Sequence, residues 1–412
     1  MTEKSDLGNA SDLGDATGLK ESERLAEFPR AGTAGPAPSL VSHVRAGHGP
    51  GLTQSVDRLV EPFGGWAALA SPGERIAVKI NLLRGAPPEK AVSTHPETLR
   101  CVLRALKTAG AEPFVADSPG GRNGPAKVAR AYKISGITQV CADEGVQIVD
   151  VEDDRITLDA PDARLYRSFP VGKAFVDADA MIQVGVLKTH QLMRLTGGVK
   201  LTFGCITGLS KAQLHVRAQK REDFADMLLD LHLALRPRFT IIDGIIAMEG
   251  QGPGSGTPRE LGSLFAAHDA VALDVALADR TAHAPHSVYT IAAAARRGLV
   301  DLDDPYRLAG DAIEPERAFK PVARDMQALL PPSLHRTARN LITARPRLVD
   351  TAACTKCGDC AGICGASAIT LHPTPVFDDH LCVRCYACTE VCPTAAIDNV
   401  VPRAVRLFRA RS

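Results

Sequence analysis

The runs Cys354-Thr-Lys-Cys357-Gly-Asp-Cys360-Ala-Gly-Ile-Cys364 and Cys382-Val-Arg-Cys385-Tyr-Ala-Cys388-Thr-Glu-Val-Cys392-Pro393 hold eight of the chain's 11 cysteines. Three thiolates at three-residue intervals can wrap one cubane iron–sulfur cluster, because a tight loop turns each sulfur towards a common centre. The fourth cysteine of each run then reaches across to the other cluster. The expected ligand sets are Cys354, Cys357, Cys360 and Cys392 on one [4Fe-4S] cluster, and Cys382, Cys385, Cys388 and Cys364 on a second. Zinc needs only four ligands, usually as two CxxC pairs, so two complete four-cysteine runs disfavour it. Disulfide frameworks belong to small secreted domains, and this chain is 43.7 kDa.

Outward from these runs, the 412 residues suffice for more than one domain. A net charge of +1 offers no global field for nucleic acid, and 4% aromatic residues leave little material for base stacking. No apolar run reaches the roughly 20 residues that span a bilayer. The N-terminus shows neither an apolar leader core nor a twin-arginine signal, so a cytoplasmic location is expected. Residues 1–50, with SDLG repeated at Ser5 and Ser11, read as a disordered tail. An α/β domain is expected over 51–300, a Pro- and Arg-rich connector over 301–349, the cysteine-rich domain over 350–401 and a basic tail over 402–412.

Within the large domain, apolar runs at 75–83, 112–118, 146–152, 180–187 and 238–248 read as buried strands. Helices are expected at 95–109, 125–143, 223–236, 270–283 and 287–297. Thr94 and Glu97 form a capping-box pattern at the first helix. Strand–helix alternation predicts an α/β fold with a mostly parallel sheet, followed by a small α+β domain carrying the clusters.

Ligands of open α/β sheets bind beyond the carboxyl ends of the strands. Those ends carry Lys79 and Asn81, Asp117 and Ser118, Lys188 and His190, and Asp243. Gly197, Gly198, Lys200, Gly204, Lys211 and His215 follow the fourth strand. Lysines and histidines among glycines suit an anionic ligand approached closely by backbone. Lys79, Asn81, Gly197 and Gly198 are the expected ligand-binding group, with Lys188, His190, Lys200, His215, Asp117 and Asp243 as catalytic candidates. The blander readings make Asp243 a turn cap, Lys107 and Lys127 solvated helix charges, and Cys101, Cys141 and Cys205 core residues. The Gly250–Gly256 loop is not a P-loop, since no Gly-Lys-Ser/Thr follows.

At these residues the sequence resembles the domain of unknown function 362 family, in the version fused to a C-terminal two-cluster ferredoxin. The matching pieces are Val78-Lys79-Ile-Asn81, Ser93-Thr94-His95-Pro96-Glu97, Ala116-Asp117-Ser118-Pro119-Gly120, Leu187-Lys188-Thr189-His190, Gly197-Gly198-Val-Lys200, Ile242-Asp243-Gly244 and Gly250-Gln-Gly252-Pro253. One departure is Gly365, which follows the first cysteine run where ferredoxins usually carry proline. The Gly197…His215 stretch also looks like a segment of the nickel-pincer lactate racemases, which would imply a small-acid or organic-cofactor pocket. The combined expectation is an iron–sulfur oxidoreductase that relays electrons from a redox partner protein to an anionic small molecule or further cofactor. The alternatives are an electron carrier without its own substrate, or a racemase-like enzyme with structural clusters.

Overall fold

A computed structural model describes residues 37–121, 124–322, 343–400 and 402. Its main sheet has nine strands: β1 (Ser39–Arg45), β2 (Arg75–Ile80), β3 (Glu112–Ala116), β4 (Gln147–Ile148), β7 (Ala180–His190), β8 (Arg194–Thr196), β9 (Phe239–Glu249), β10 (Thr257–Ala267) and β11 (Tyr306–Gly310). A side hairpin is made by β5 (Arg155–Asp159) and β6 (Ser168–Gly172). The strand order is β11-β1-β10-β9-β7-β2-β3-β4, with β8 pairing β7. Five strand pairs are parallel; β1–β10, β10–β9 and β7–β8 are antiparallel. The expected mostly parallel α/β architecture is therefore present, widened by an antiparallel hairpin.

The period-two geometry of a strand sorts its side chains between two cores. Ile76, Val78 and Ile80 of β2 join the core under α1 (Leu52–Val60), α3 (Pro96–Thr108), α4 (Pro125–Ile134) and α5 (Ile137–Glu144). Ala77 joins the opposite core, beneath α9 (Arg221–Leu235), α10 (Ala270–Arg280) and α11 (Tyr289–Arg296). Lys79 shares the parity of Ala77 and so faces the α9 side. Helix α3 buries Leu99, Val102, Leu103 and Leu106, the i, i+3, i+4, i+7 stripe of an amphipathic helix.

Several boundaries differ from expectation. The N-terminal tail does not extend to residue 50, because β1 is sandwiched between β10 and β11. Its buried polar positions hid it: His43 bonds Asp311 O (2.9 Å) through Nδ1 and Ser263 Oγ (3.2 Å) through Nε2. Residues 1–36, part of that expected tail, lie outside the described residues. The expected connector is divided, since β11 completes the large sheet while β12 (Arg345–Leu348) pairs with β15 (Ile397–Val400) of the cysteine-rich domain. Residues 323–342, and the basic tail apart from Pro402, also lie outside the described residues. The helix expected at 125–143 breaks at Gly136, whose φ of 76° is left-handed. The strand expected at 146–152 shortens to the edge pair Gln147–Ile148, and β10 was not anticipated because its first half is polar.

Helix α3 is capped by His95, whose Nδ1 accepts from Glu97 N (3.3 Å). Thr94 instead ties strands together, donating to Val184 O (2.6 Å) and accepting from Asn81 N (2.8 Å). Glu97 accepts from Gly49 N (2.7 Å). The expected Thr94–Glu97 capping pair is therefore not formed.

Candidate functional site

The cysteine-rich domain is an internal duplication with a step of 28 residues, as from Cys354 to Cys382. Helix α12 (Asp359–Gly362) recurs as α13 (Ala387–Glu390), and β13 (Ile369–Leu371), which pairs β14 (Pro375–Phe377), recurs as β15. Left-handed residues recur too: Lys356 with Arg384, Gly358 with Tyr386, Ser367 with Ala395. Lys356, Gly358, Arg384 and Tyr386 fall between cysteines of their runs, where left-handed backbone makes the tight turns that the spacing requires. A hollow is lined by Cys354, Cys357, Cys360 and Cys392, three from one run and the last from the other. Cys388 has Cys385, Cys382 and Cys364 among its electrostatic neighbours. Burial pushes Cys360 up to about 11 and Cys385 up to about 12. The protein's own field does not create these thiolates, whereas bound metal does. This donor set fits the clusters expected from the spacing.

Beside this domain lies a cavity of about 80 Å³. On the large-domain side it is lined by Lys79, Asn81, Asp117, Ser118, Lys200 and Gly204, with Lys211 and His215 of α8 (Ser210–Arg217). Its other wall is Ile363, Ala387, Glu390 and Val391 of the cysteine-rich domain. Lys79 Nζ pairs with Asp117 Oδ1 (3.0 Å) and donates to Ile80 O (2.6 Å). Asp117 Oδ2 accepts from Leu82 N (2.5 Å). Lys211 Nζ donates to Ser118 O (2.7 Å), and Ser118 Oγ bonds Glu152. Lys200 differs: its ammonium makes no hydrogen bond or ion pair with the described residues and lies 5.6 Å from the Phe203 ring centre.

Behind this lining, Lys188 Nζ donates to Asn81 Oδ1 (2.5 Å) and Val92 O (2.8 Å). His190 Nε2 lies 3.3 Å from Glu390 Oε1, out of hydrogen-bond alignment. Burial, reinforced by the Lys200 charge, lowers Lys188 to about 7. Burial lowers Lys211 to about 8, and lowers Lys200 as well. It lowers His215 to about 3 and holds His190 well below the ordinary imidazole value. Asp117 and Glu390 are raised by burial. The two histidines, expected as catalytic candidates, are thus neutral near pH 7. The ammonium groups of Lys188 and Lys211 titrate nearest neutrality.

Of the expected residues, Lys79, Asn81, Asp117, Lys200 and His215 line the cavity, and Lys188 and His190 stand one layer behind. Asp243 does not belong to it. It shares the parity of Phe239 and Ile241 and faces α3, accepting from Thr98 Oγ1 (2.5 Å) and Ile245 N (2.8 Å), with His48 Nε2 at 3.1 Å. Gly197 and Gly198 are packing positions: a Cβ on Gly197 would fall on Asp274, whose carboxylate accepts from Gly198 N (2.7 Å). Glu390 was missed because it sits inside a cysteine run. Lys211, which follows the fourth strand in sequence, joins the lining although it is not among the expected catalytic or ligand-binding residues. Cys205 is core, its thiol raised to about 12 by burial.

The two domains meet through close backbone approach. A Cβ on Gly365 would sit 2.9 Å from Ala212 O, and one on Gly120 would sit 3.1 Å from Val391 Cγ1. Lys127, expected to be a solvated charge, pairs across the interface with Asp359 (2.9 Å). Arg84 donates to Gly254 O (2.6 Å) and to Pro393 O (3.0 Å).

Comparison with known proteins gives two family matches. Residues 76–279 match the Domain of unknown function (DUF362), and residues 375–398 match the 4Fe-4S binding domain. The chain is 36% identical over 251 residues to the thylakoid-associated protein sll1697 of Synechocystis sp., covering 60% of this chain and 75% of that protein. Among solved structures, the lactate racemase apoprotein of Thermoanaerobacterium thermosaccharolyticum aligns with a TM-score of 0.37 at 13% identity. That alignment covers 56% of this chain and 54% of the racemase. Among the described residues, no helix is long and apolar enough to cross a membrane.

Proposed function

From a chain that belongs to the Domain of unknown function (DUF362) family and carries a 4Fe-4S binding domain, we propose an iron–sulfur oxidoreductase acting on a small anionic molecule. The observation that carries this reading is the shared wall of the cavity. Ile363 and Ala387 line it and are the sequence neighbours of Cys364 and Cys388. The ligand sets are those expected from the spacing, four cysteines for each of two [4Fe-4S] clusters. When bound, the clusters supply electrons one at a time from a reduced redox partner protein.

The chain's own residues do the rest. Lys200, a cation facing the cavity with no hydrogen bond or ion pair among the described residues, holds the anionic group of the ligand. Lys211, near its titration point at neutral pH, gives a proton to the reduced ligand and regains one from water. Asp117 is fixed by Lys79 and Leu82 N and keeps Lys79 oriented. Ile363, Val391 and Phe203 limit water around the ligand. We assign the protein to the cytoplasm, where reduced thiols favour cluster assembly.

The test is anaerobic purification of the full chain, with iron and sulfide counted and any copurifying small molecule identified by mass spectrometry. About eight irons and a bound organic anion that Lys200→Met releases support the proposal. Full iron content with no anion in the native chain, and no change in Lys200→Met, refutes it.

A further inference from the structure

Arg84 belongs to the large domain, yet its guanidinium lies against the cysteine-rich domain. Two of its nitrogens are engaged: Nη1 donates to Pro393 O (3.0 Å) and Nη2 to Gly254 O (2.6 Å). The third, Nε, is buried without a hydrogen-bond partner among the described residues. No carboxylate forms an ion pair with this arginine among the described residues, so neither its charge nor its remaining N–H is answered. A guanidinium stays protonated in proteins, so shedding the proton is not an escape. Pro393, whose carbonyl takes the Nη1 hydrogen bond, directly follows Cys392, and among the described residues the Cys392 sulfur is the one group whose negative charge would favour this guanidinium's protonated form.

The duplicated run lacks this arrangement. Cys364, the counterpart of Cys392, accepts from Ala368 N (3.2 Å) and is followed by Gly365, packed on Ala212. Arg384, inside the second run, directs Nη1 to Asp379 (2.8 Å), so its charge has a carboxylate partner. The large domain therefore breaks the symmetry of the duplication at Cys392.

We infer that Arg84 is a positioning residue for the cluster ligated by Cys354, Cys357, Cys360 and Cys392, its buried charge and unused Nε–H placed beside Cys392 so as to raise that cluster's reduction potential. This rests on the reading that each cysteine group binds a cluster. Reduction adds negative charge to the cluster, and a fixed cation held beside a ligand cysteine, with one N–H still unused, favours the more negative state. The duplicated sites, equal in spacing, become unequal in potential through a residue outside their own domain.

The experiment is an EPR-monitored redox titration of the anaerobically purified full chain, native and with Arg84→Met and Arg84→Lys, with iron and sulfide counted in each. In Arg84→Met one midpoint falls by at least tenfold in the reduction equilibrium, 59 mV for one electron, while the other holds. Arg84→Lys, which keeps the charge without the fork, shifts the same midpoint by less. If Arg84→Met loses iron, the reading is taken from Arg84→Lys, where an unmoved midpoint overturns the inference. Full-iron variants in which neither midpoint moves, or both move equally, also overturn it. A native chain that holds no iron after reconstitution instead sinks the cluster reading itself, which the iron count reports separately.

Discussion

Replacing Gly365 with alanine tests whether the two domains are docked as described. The position follows Cys364, and its backbone is not left-handed, so alanine carries no conformational penalty there. The cost is purely steric. The added Cβ would lie 2.9 Å from Ala212 O and 2.9 Å from Val216 Cγ2. Ala212 O is helix backbone, which cannot rotate aside as a side chain does. Overpacking of this kind costs about 1–3 kcal/mol. With a rigid neighbour we expect about 2 kcal/mol, a change of roughly 30-fold in the docked population. Helix α8 also carries Lys211 and His215, so the same displacement opens the cavity. Gly362→Ala is the matched control, because nothing lies within 4 Å of a Cβ there. Urea denaturation can follow both domains at once. Trp66 is the chain's single tryptophan and reports the large domain, while visible absorbance reports the clusters. Gly365→Ala should lower the cluster midpoint and separate it from the tryptophan midpoint, while Gly362→Ala leaves the two together. If Gly365→Ala behaves as the control does, the close approach of α8 to the first cysteine run is wrong. Proline at this position, the residue expected from ferredoxins, should be at least as disruptive.

Other outcomes follow from the buried charges. Lys188 has its folded value lowered to about 7 from 10.5, so between those limits the unfolded chain holds a proton that the folded chain lacks. Stability should therefore rise as pH climbs through that window, with the full penalty present below about 7; Lys188→Met should flatten the rise in apparent melting temperature, and an identical slope in both proteins would contradict the burial. Gly204→Ala would set a methyl group onto Asp117 Oδ1 and Lys79 Nζ. Breaking a buried pair costs about 3–5 kcal/mol, so this variant should show a large loss in chemical denaturation, and a near-native midpoint would count against the pair. Lys127→Ala removes a half-exposed ion pair to Asp359. Exposed pairs contribute about 0.2–1 kcal/mol, so the expected loss is small and vanishes at high salt; a larger, salt-independent loss would mean a buried role.

Much of the site was legible because strand ends mark it. Lys79, Asn81 and Asp117 close β2 and β3, and sequence runs of buried-strand type located those ends to within a few residues. Parity was the missing variable for Asp243. It too lies on a buried strand, yet its side chain faces α3, across the sheet from Lys79. The Gly197-Gly198 pair drew attention as a ligand loop, whereas its glycines make room for Asp274. The lysines and histidines were recognisable as a group, but not their charge states. Burial leaves His190 and His215 neutral and brings Lys188 and Lys211 close to titration.

The sequence by itself determined the chemistry of the cysteine-rich domain, because ligand spacing along a tight loop is a local property. It also determined the α/β class, since strand–helix alternation is written in short apolar periods. Only the tertiary structure decided that the cysteine runs form one wall of the lysine-lined cavity. Glu390, Arg84 and Gly365 acquire their roles there, each from a neighbour far away in sequence. The departure at Gly365 makes the point: as sequence it is a proline replaced by glycine, and in the fold it is the space that α8 occupies. Contacts between domains depend on which surfaces the packed layers bring together, and no local pattern encodes that.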